Sequence, residues 1–484
     1  MQGVAWRGLT TLATRLLRVG VFFVLARLLA PEAFGTVALA VAIITVLQFL
    51  ASGGLSQAII QHPALTKSHL DSVLLISAVS GFILGGAMFF SAPIVAEWMG
   101  QQELGPVLMA LSAMPVLVGA NMVPEGLLSR EMNFRALSIR QLAATLLSIA
   151  SALALAFGGA GVWALVVQTL VEGVTSTVFL WMATVRSYRP GATISRQAVR
   201  EMGGFGLKVI GIDLTVLAST KSDDILIGAV LGPSALGLYS VAYRLLTVLQ
   251  DTIQGVSNTV AFPLYSRLQG AGDRLTSGFI RSAGFTFAVS SPAFVFTAVA
   301  SPQLVPALLG PQWLAAAPVM SVLAIAGIAT TMVDINNTFL QATGRAGQVL
   351  ATSLVGSLVN VVGFILAVNY GIVWVAAAFA ARAVAMVPVT TWLVSKHLGA
   401  IRGYLSSLAP LVLLLSVPIL AGVGVGLVDE AIGNDLVSVI LCALPGLGLY
   451  CAGLRLLSPT TFEDLRLVIM KATGRTKKRE RKAS

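Results

Sequence analysis

The chain has 484 residues, of which 56% are hydrophobic and 11% charged, with a mean hydropathy of +0.89. Soluble domains carry about 25% charged residues, so this composition excludes a soluble protein and indicates a polytopic membrane protein. The formal net charge of +11 lies in short loops and in the tail 471–482. Membrane topology explains this charge more simply than nucleic acid does, and we expect no nucleic-acid partner.

Residues with catalytic or metal-binding chemistry are sparse. Cys442 and Cys451 lie in one apolar segment, on opposite sides of a helix, and suggest neither a disulfide nor a metal site. His62, His69 and His397 lie beside predicted loops, outside any zinc-binding motif, and there is no nucleotide-binding loop. We therefore expect no catalytic residue, no metal, no cofactor and no ATP hydrolysis.

Apolar runs bounded by glycine, proline and charge predict about fourteen membrane-spanning helices, and hence an all-α fold. The first six predicted spans are 6–29, 35–60, 70–96, 104–123, 138–157 and 161–185. The next six are 204–230, 235–262, 282–300, 315–340, 347–368 and 372–395. A final pair follows at 404–427 and 433–457.

The distribution of positive charge agrees with this set of spans. Loops after even-numbered spans carry Lys and Arg, from Lys67 to Arg402, whereas the opposite loops carry none and hold acidic residues such as Glu97 and Asp429. Basic loops stay in the cytoplasm. The pattern predicts a multi-pass protein of the bacterial inner (cytoplasmic) membrane with both termini cytoplasmic.

The second group of six spans repeats the first at an offset of 202 residues. Pro31 and Gly35 recur as Pro233 and Gly237, and the tetrapeptide 45–48 recurs at 247–250. An even number of helices per repeat makes the halves parallel, and transporters place substrate sites between such repeats. The predicted domains are an N-lobe (1–200), a C-lobe (201–400), a helix pair (401–458) and a basic cytoplasmic tail (459–484).

Charged side chains inside the predicted spans are candidate functional residues, because each costs about 2.5–3.5 kcal/mol at a span centre and needs a partner or a wet cavity. The cations are Arg15, Arg18, Lys208, Lys221, Arg244 and Arg382. The acids are Glu172, Asp213, Asp224 and Asp251. A structural network of ion pairs is the alternative explanation for these charges.

Span 235–262 also carries polar residues at steps of three and four, which place them on one helix face that should line the interior. Its repeat counterpart carries a milder version of this stripe. The candidate cavity-lining residues on these two spans are Gln48, Ser52, Thr247, Gln254 and Asn258. In span 315–340, the run Asp334 to Asn337 is either a polar helix break or a structural hydrogen-bond cluster.

Several segments resemble polysaccharide transporters. They are Arg-Leu-Leu-Ala-Pro-Glu-Ala-Phe-Gly (27–35), Pro-Glu-Gly-Leu-Leu-Ser-Arg-Glu-Met-Asn-Phe-Arg (124–135), Lys-Ser-Asp-Asp (221–224) and Leu-Gly-Pro-Ser-Ala-Leu-Gly-Leu-Tyr (231–239). These transporters are the lipid-linked repeat-unit flippases of the multidrug/oligosaccharidyl-lipid/polysaccharide superfamily, especially the exopolysaccharide-export branch. The resemblance implies two six-helix lobes in a V around a central cavity, with alternating access.

The resemblance further implies the substrate, an undecaprenyl-pyrophosphate-linked oligosaccharide carried from the cytoplasmic to the periplasmic face for exopolysaccharide, capsule or O-antigen synthesis. The six cations above are then candidates for binding the pyrophosphate, and the four acids for coupling to protons or sodium ions. Membrane lipids are expected partners. The basic tail is either a topology anchor or a docking segment for the polymerase and glycosyltransferases.

Three alternatives stay open at this point. A lipid II flippase or a multidrug exporter of the same superfamily would share much of the plan. A membrane polysaccharide polymerase is the alternative from another class. We expect a transporter and not an enzyme, because the predicted outer loops are short and carry no His, Lys or Arg.

Overall fold

The computed structural model describes residues 2–191, 193–204, 206, 217, 220–270, 272–399 and 401–472. For a few of these, including Arg7 and residues 255–260, it describes the backbone alone. Within the described residues the chain is helical almost throughout and no β-strand occurs, which confirms the all-α prediction. Residues 208, 213 and 473–484 lie outside this description.

The described helices are named here in chain order. The first group is α1 (Gln2–Leu28), α2 (Pro31–Ser52), α3 (Leu55–Gln61), α4 (Lys67–Trp98), α5 (Leu104–Leu111), α6 (Ala113–Arg130), α7 (Phe134–Phe157) and α8 (Val162–Thr184). The second group is α9 (Ser222–Arg267), α10 (Asp273–Leu309), α11 (Ala317–Ala342), α12 (Ala346–Ala367), α13 (Ile372–Leu398), α14 (Ile401–Leu413), α15 (Ser416–Ile432), α16 (Asp435–Leu457) and α17 (Pro459–Ala472).

Twelve helical stretches of the described chain are long and apolar enough to cross a membrane. They overlap the predicted spans two to six and eight to fourteen. The first predicted span forms a 27-residue helix, α1, which is not among the twelve. About half of the seventh, 204–230, lies outside the described residues. The multi-pass architecture is therefore established, and the count of fourteen stays a prediction.

Glycines mark two breaks in the helical chain. The span predicted at 35–60 is two helices, because Gly53 and Gly54 take φ values of +49° and +62° between α2 and α3. The break predicted between 230 and 235 occurs at Gly232, whose φ of +83° and ψ of 178° are not helical and separate the two helical parts of α9. Residues with a side chain rarely adopt these backbone angles, so glycine sets where each helix bends.

Residue contacts divide the chain into two compact units, which we call the N-terminal unit (1–240 with 364–372) and the C-terminal unit (241–363 with 373–484). The predicted lobe boundary at residue 200 remains a prediction. In the N-terminal unit, α4 packs on α6, and α7 packs on both α8 and α1. Small residues allow close approach: Ser77 of α4 donates a hydrogen bond of 2.8 Å to the carbonyl of Gly119 in α6.

In the C-terminal unit, α10 packs on α11 and on the α15–α16 pair. Its core contains a cluster of aromatic rings, Tyr265, Phe279, Phe339 and Tyr404, with centroid separations of 5.0–6.0 Å. Edge-to-face rings at such distances stabilise a core beyond the area they bury. This cluster joins α9, α10, α11 and α14 in the core of the unit.

The predicted tail begins as a helix. Phe462 and Leu465 of α17 pack against the core of the C-terminal unit. Arg281 of α10 forms an ion pair with Asp464, with Arg281 Nε 2.6 Å from Asp464 Oδ2. The first part of the segment predicted as a basic tail is therefore a docked amphipathic helix.

Candidate functional site

A cavity of about 310 Å³ opens inside the N-terminal unit between α6, α7 and α8. Its polar lining residues are Asn121, Glu125, Arg140, Thr169, Glu172 and Ser176. Ionisable groups within membrane-spanning helices are rare and mark substrate or ion pathways. This cavity is the first candidate site.

Arg18 and Glu172 form an ion pair. The sequence indicated different roles for them, pyrophosphate binding for Arg18 and ion coupling for Glu172. The guanidinium Nη2 of Arg18, on α1, donates to Glu172 Oε1, on α8, and lies 3.4 Å from Thr145 Oγ1, on α7. The two charged side chains retain 39% and 37% of their exposure. The pair is thus charge-compensated and partly exposed, and its Glu172 side lines the cavity.

A second ion pair on the same cavity was missed by the sequence reasoning. Arg140 Nη1 lies 3.5 Å from Glu125 Oε1. The available signal was that Arg140 lies within a predicted span and that Glu125 follows Pro124 in the 124–135 segment. Their residue types alone could not show that α6 and α7 bring them together.

The start of α9 holds a third charged cluster. Lys221 Nζ donates to Asp224 Oδ2 over 2.8 Å. The neighbouring Asp223 is buried, and Tyr239 donates to its Oδ2 over 3.0 Å. Lys221 was proposed to bind pyrophosphate and Asp224 to couple ions, and the structure joins them in one ion pair.

The C-terminal unit holds a cavity of about 220 Å³. Its polar lining residues include Thr330, Asp334, Asn337, Ser353, Arg382 and Thr390. Gln254 Nε2 of α9 donates to Asp334 Oδ2, and one turn earlier Gln250 Nε2 donates to Thr330 Oγ1. The Arg382 guanidinium lies over the Phe379 ring, 5.0 Å from its centroid, in a cation–π contact. This cavity is the second candidate site.

The interpretation of residues 334–337 as a helix break is wrong. α11 runs through them without interruption. Two of the side chains, Asp334 and Asn336, form hydrogen bonds to neighbouring helices. Buried Asn336 donates to Thr390 Oγ1 at 3.1 Å and to Thr391 Oγ1 at 3.2 Å, both on α13. The alternative, a structural hydrogen-bond cluster, describes these contacts.

The other sequence-predicted residues are placed as follows. Arg15, Arg244 and Asp251 have exposed side chains, and Gln48, Ser52 and Thr247 are half-buried. Ser52 Oγ and Thr247 Oγ1 donate to backbone carbonyls of their own helices. Lys208 and Asp213 lie outside the described residues, and Asn258 is described by its backbone alone.

Cavities within membrane helices that carry both guanidinium and carboxylate groups are typical of transporters for charged or polar cargo. The family comparison agrees with this class. The model of the family described as "Polysaccharide biosynthesis protein" matches residues 24–318, and the chain belongs to that family.

Three curated relatives carry names in the same field. The chain is 23% identical to the teichuronic acid biosynthesis protein TuaB of Bacillus subtilis (strain 168), over 72% of each chain. It is 28% identical to the succinoglycan biosynthesis transport protein ExoT of Rhizobium meliloti (strain 1021), over 68% of this chain and 66% of that relative. It is 21% identical to the lipopolysaccharide biosynthesis protein WzxC of Escherichia coli (strain K12), over 71% of this chain and 70% of the relative.

Two solved structures share the fold. The lipid II flippase MurJ in an inward closed conformation matches with a TM-score of 0.72 and 12% identity, covering 95% of this chain and 99% of that chain. An inward-facing multidrug resistance MATE family transporter of the MOP superfamily matches with a TM-score of 0.62 and 17% identity, covering 80% and 95%. At these identities the likeness concerns the fold.

Proposed function

We propose that this protein is a flippase that moves prenyl-pyrophosphate-linked oligosaccharide repeat units from the cytoplasmic to the periplasmic face of the bacterial inner membrane by alternating access. The single observation that carries the proposal is the family match over residues 24–318. The names of ExoT, a transport protein, and WzxC, a lipopolysaccharide biosynthesis protein, support a polysaccharide precursor as cargo. The flippase fold of MurJ supports a lipid-linked one.

The chemistry of Arg18 fits such a cargo. A guanidinium binds phosphate oxygens through paired, charge-assisted hydrogen bonds, and it stays charged at every physiological pH. In the structure Arg18 donates a hydrogen bond of this charge-assisted kind to the Glu172 carboxylate. A pyrophosphate entering the cavity would compete with the Glu172 carboxylate for Arg18, and this exchange would couple substrate binding to a change between α1 and α8.

Asp334 joins the acids considered for ion coupling. It is a carboxylate that lines the C-terminal cavity together with Arg382, whereas Asp251 is exposed and Asp224 is held by Lys221. Loss or gain of a proton or sodium ion at Asp334 would change the charge beside Arg382. The sugar head group would pass through the polar interior of the protein while the prenyl chain stays in lipid.

The transporter relatives and solved structures do not favour the polymerase alternative, and the protein is a transporter and not an enzyme. A lipid II flippase and a multidrug exporter share the fold, and the sequence relatives favour the polysaccharide branch over both.

With both termini cytoplasmic, as the positive charges predict, the connector between the sixth and seventh predicted spans also faces the cytoplasm. Docking of the polymerase or glycosyltransferases to the tail belongs to the same proposal.

Deletion of the gene tests the function in cells. We expect prenyl-pyrophosphate-linked oligosaccharide to accumulate on the cytoplasmic face, shielded from a glycan probe that cannot cross the membrane. Repeat units that reach the periplasmic face but stay unpolymerised would contradict the proposal and support a polymerase. Accumulation of lipid II in place of the oligosaccharide lipid would move the assignment to a lipid II flippase.

A further inference from the structure

Two histidines and a glutamate converge at the end of the N-terminal unit that the charge pattern places in the cytoplasm. His62 follows α3, His69 lies in the first turn of α4, and Glu201 lies in the helical segment 196–204 of the connector after α8. Glu201 Oε2 lies 3.1 Å from His69 Nε2 and 3.5 Å from His62 Nε2. Each residue offers one possible ligand atom, and these three atoms all lie within 4.8 Å of one another.

We propose that His62, His69 and Glu201 form a site for a divalent transition-metal ion such as Zn²⁺, which clamps the connector to the α3–α4 turn. Imidazole nitrogen and carboxylate oxygen are preferred zinc ligands at about 2.0–2.2 Å. Tetrahedral ligands at this radius are about 3.4 Å apart. The two measured separations from Glu201, 3.1 and 3.5 Å, bracket that value. The two atom pairs that include Glu201 are therefore already near tetrahedral spacing, and the two histidine nitrogens lie within 4.8 Å of each other.

The surroundings hold the two rings in place for this role. The outer nitrogen of His69, Nδ1, lies 2.7 Å from Thr66 Oγ1. In the structure the backbone N–H of Thr66 donates to this Nδ1 over 3.2 Å, so the proton lies on Nε2, which is 3.1 Å from Glu201 Oε2. An ion bound at Nε2 would take the place of that proton, and a proton on Nδ1 would then be donated to Thr66 Oγ1, an outer-shell contact typical of metal-bound histidines. The His62 ring lies at 4.5 Å from that of His69. Its Nδ1 is buried without a hydrogen-bond partner among the described residues, and its Nε2 is the nitrogen that faces Glu201.

The connector backbone is also fixed beside the site. Met202, next to Glu201, is buried in the same core as Ile59 of α3 and Leu70 of α4. Glu201 Oε1 accepts a hydrogen bond of 2.9 Å from Gln197 Nε2. One nearby charge opposes a cation: Arg130 Nη1 donates to the carbonyl of His62 over 2.6 Å. We therefore expect moderate affinity, with the fourth coordination position open to water.

The ligands come from three separated segments, which is why the sequence shows no zinc motif and why we expected no metal from it. The proposal does not depend on the transport activity. It assigns a structural role to the connector that joins the two sequence repeats: metal binding would hold the beginning of the second repeat to the first.

Isothermal titration with Zn²⁺ alone tests the site in the full-length protein, purified in detergent through a tag without histidines and stripped with a chelator. We expect one ion per chain. His69→Gln and Glu201→Gln should each weaken binding about 100-fold or more, since even the loss of an outer-shell partner costs about 10–100-fold. Glutamine at 69 keeps the capping box of α4, so this helix start is preserved. His397→Gln is the matched control, because His397 is the third and last histidine of the chain.

A second readout reports the clamp itself. Zinc should slow tryptic cleavage after Arg196 and Arg200 in the wild type and in His397→Gln, and should have no effect in Glu201→Gln. Absence of saturable binding, or equal affinity in the wild type and in Glu201→Gln, would overturn the proposal. Should His69→Gln fail to fold, Glu201→Gln decides the question alone, because its side chain is exposed.

Discussion

Gly35 and Gly237, which are equivalent positions of the 202-residue repeat, lie against each other where α2 meets the first part of α9. A Cβ atom on Gly35 would lie 1.7 Å from the carbonyl oxygen of Pro233, and one on Gly237 would lie 1.9 Å from the carbonyl oxygen of Pro31. Pro31 and Pro233 are themselves repeat equivalents. The contact is therefore nearly symmetric, and it explains why both copies of the repeat keep a glycine there.

We expect Gly35→Ala to destabilise the protein. The added methyl group meets rigid backbone, so the helices must separate, at a cost of about 1–3 kcal/mol or more. Thermal unfolding in detergent measures this. Gly86→Ala in α4 is the matched control, because a Cβ atom there has no neighbour within 4 Å and should leave the melting temperature unchanged or raised. A Gly35→Ala protein as stable as the control would contradict the close contact.

Variants of the Arg18–Glu172 pair should change the protein level and polymer export independently of each other. Arg18→Ala leaves the Glu172 carboxylate without its partner in a membrane helix, which costs about 2.5–3.5 kcal/mol. We expect a lower protein level and loss of polymer export. The double variant Arg18→Ala/Glu172→Ala removes the unpaired charge and should regain the protein level, while export stays lost because no guanidinium binds the pyrophosphate. Immunoblotting and polymer quantification check both outcomes.

Arg189→Ala is the control for that experiment, since it removes the same charge from an exposed position outside the spans. It should change neither readout. Normal export by the double variant would show that Arg18 serves only to neutralise Glu172, against the proposed contact with substrate.

Gln250 and Gln254 offer a comparison within one helix. They occupy successive turns of α9 and donate to Thr330, a neutral hydroxyl, and to Asp334, a carboxylate. Hydrogen bonds to charged groups contribute about 1.5–3 kcal/mol, and those to neutral groups about 0.5–1.5 kcal/mol. We therefore expect Gln254→Ala to lower the free energy of unfolding more than Gln250→Ala does. Equal losses, measured by unfolding in detergent, would indicate that Asp334 is uncharged in that bond.

Tyr188 and Tyr404 offer a second matched comparison, since each retains 4% exposure. Tyr188 donates to Asp71 Oδ1 over 2.7 Å, whereas Tyr404 faces the weak acceptor Met332 Sδ at 3.7 Å. We expect Tyr188→Phe to cost about 1.5–3 kcal/mol and Tyr404→Phe clearly less. Thermal unfolding of both variants measures the two losses of stability, and equal losses would contradict this expectation.

The pH dependence of the Tyr188 contribution follows from its pKa. Burial, and then the hydrogen bond to Asp71, raise the pKa of Tyr188 above its ordinary value of 10.0. The folded state thus favours the protonated phenol, and its contribution is fully present below the ordinary pKa and lost only as the pH rises through the raised one. The difference between the wild type and Tyr188→Phe should therefore stay constant from neutral pH to about pH 9.

Much of the fold could be predicted from the sequence, because lipid imposes long apolar helices and the positions of the polar breaks mark their ends. The interruptions were harder. Gly53 and Gly54 separate α2 from α3 inside a predicted span. Gly232 separates the two parts of α9 at a predicted span boundary, and Pro233 can begin the second part because its missing N–H needs no partner there. Glycine and proline marked each place but did not show whether the break would fall inside a span or at its end.

The candidate site was predictable as a set of residues and not as a set of contacts. The cost of burying charge singled out Arg18, Glu172, Lys221 and Asp224, all of which the structure pairs. The partners could not be inferred, because pairing depends on which helices are neighbours. Arg140 and Glu125 show this directly: each resembles an ordinary residue near a span end until α6 and α7 are packed together.

Transport by the purified protein tests the central claim most directly. Reconstituted into vesicles with a fluorescent prenyl-pyrophosphate-linked oligosaccharide in one leaflet, the wild-type protein should make the labelled head group accessible to a membrane-impermeant quencher or glycosidase on the other side. The Arg18→Ala/Glu172→Ala protein, reconstituted at equal density, should not. Head groups that stay in their original leaflet with the wild-type protein, under either a proton or a sodium gradient, would contradict the account.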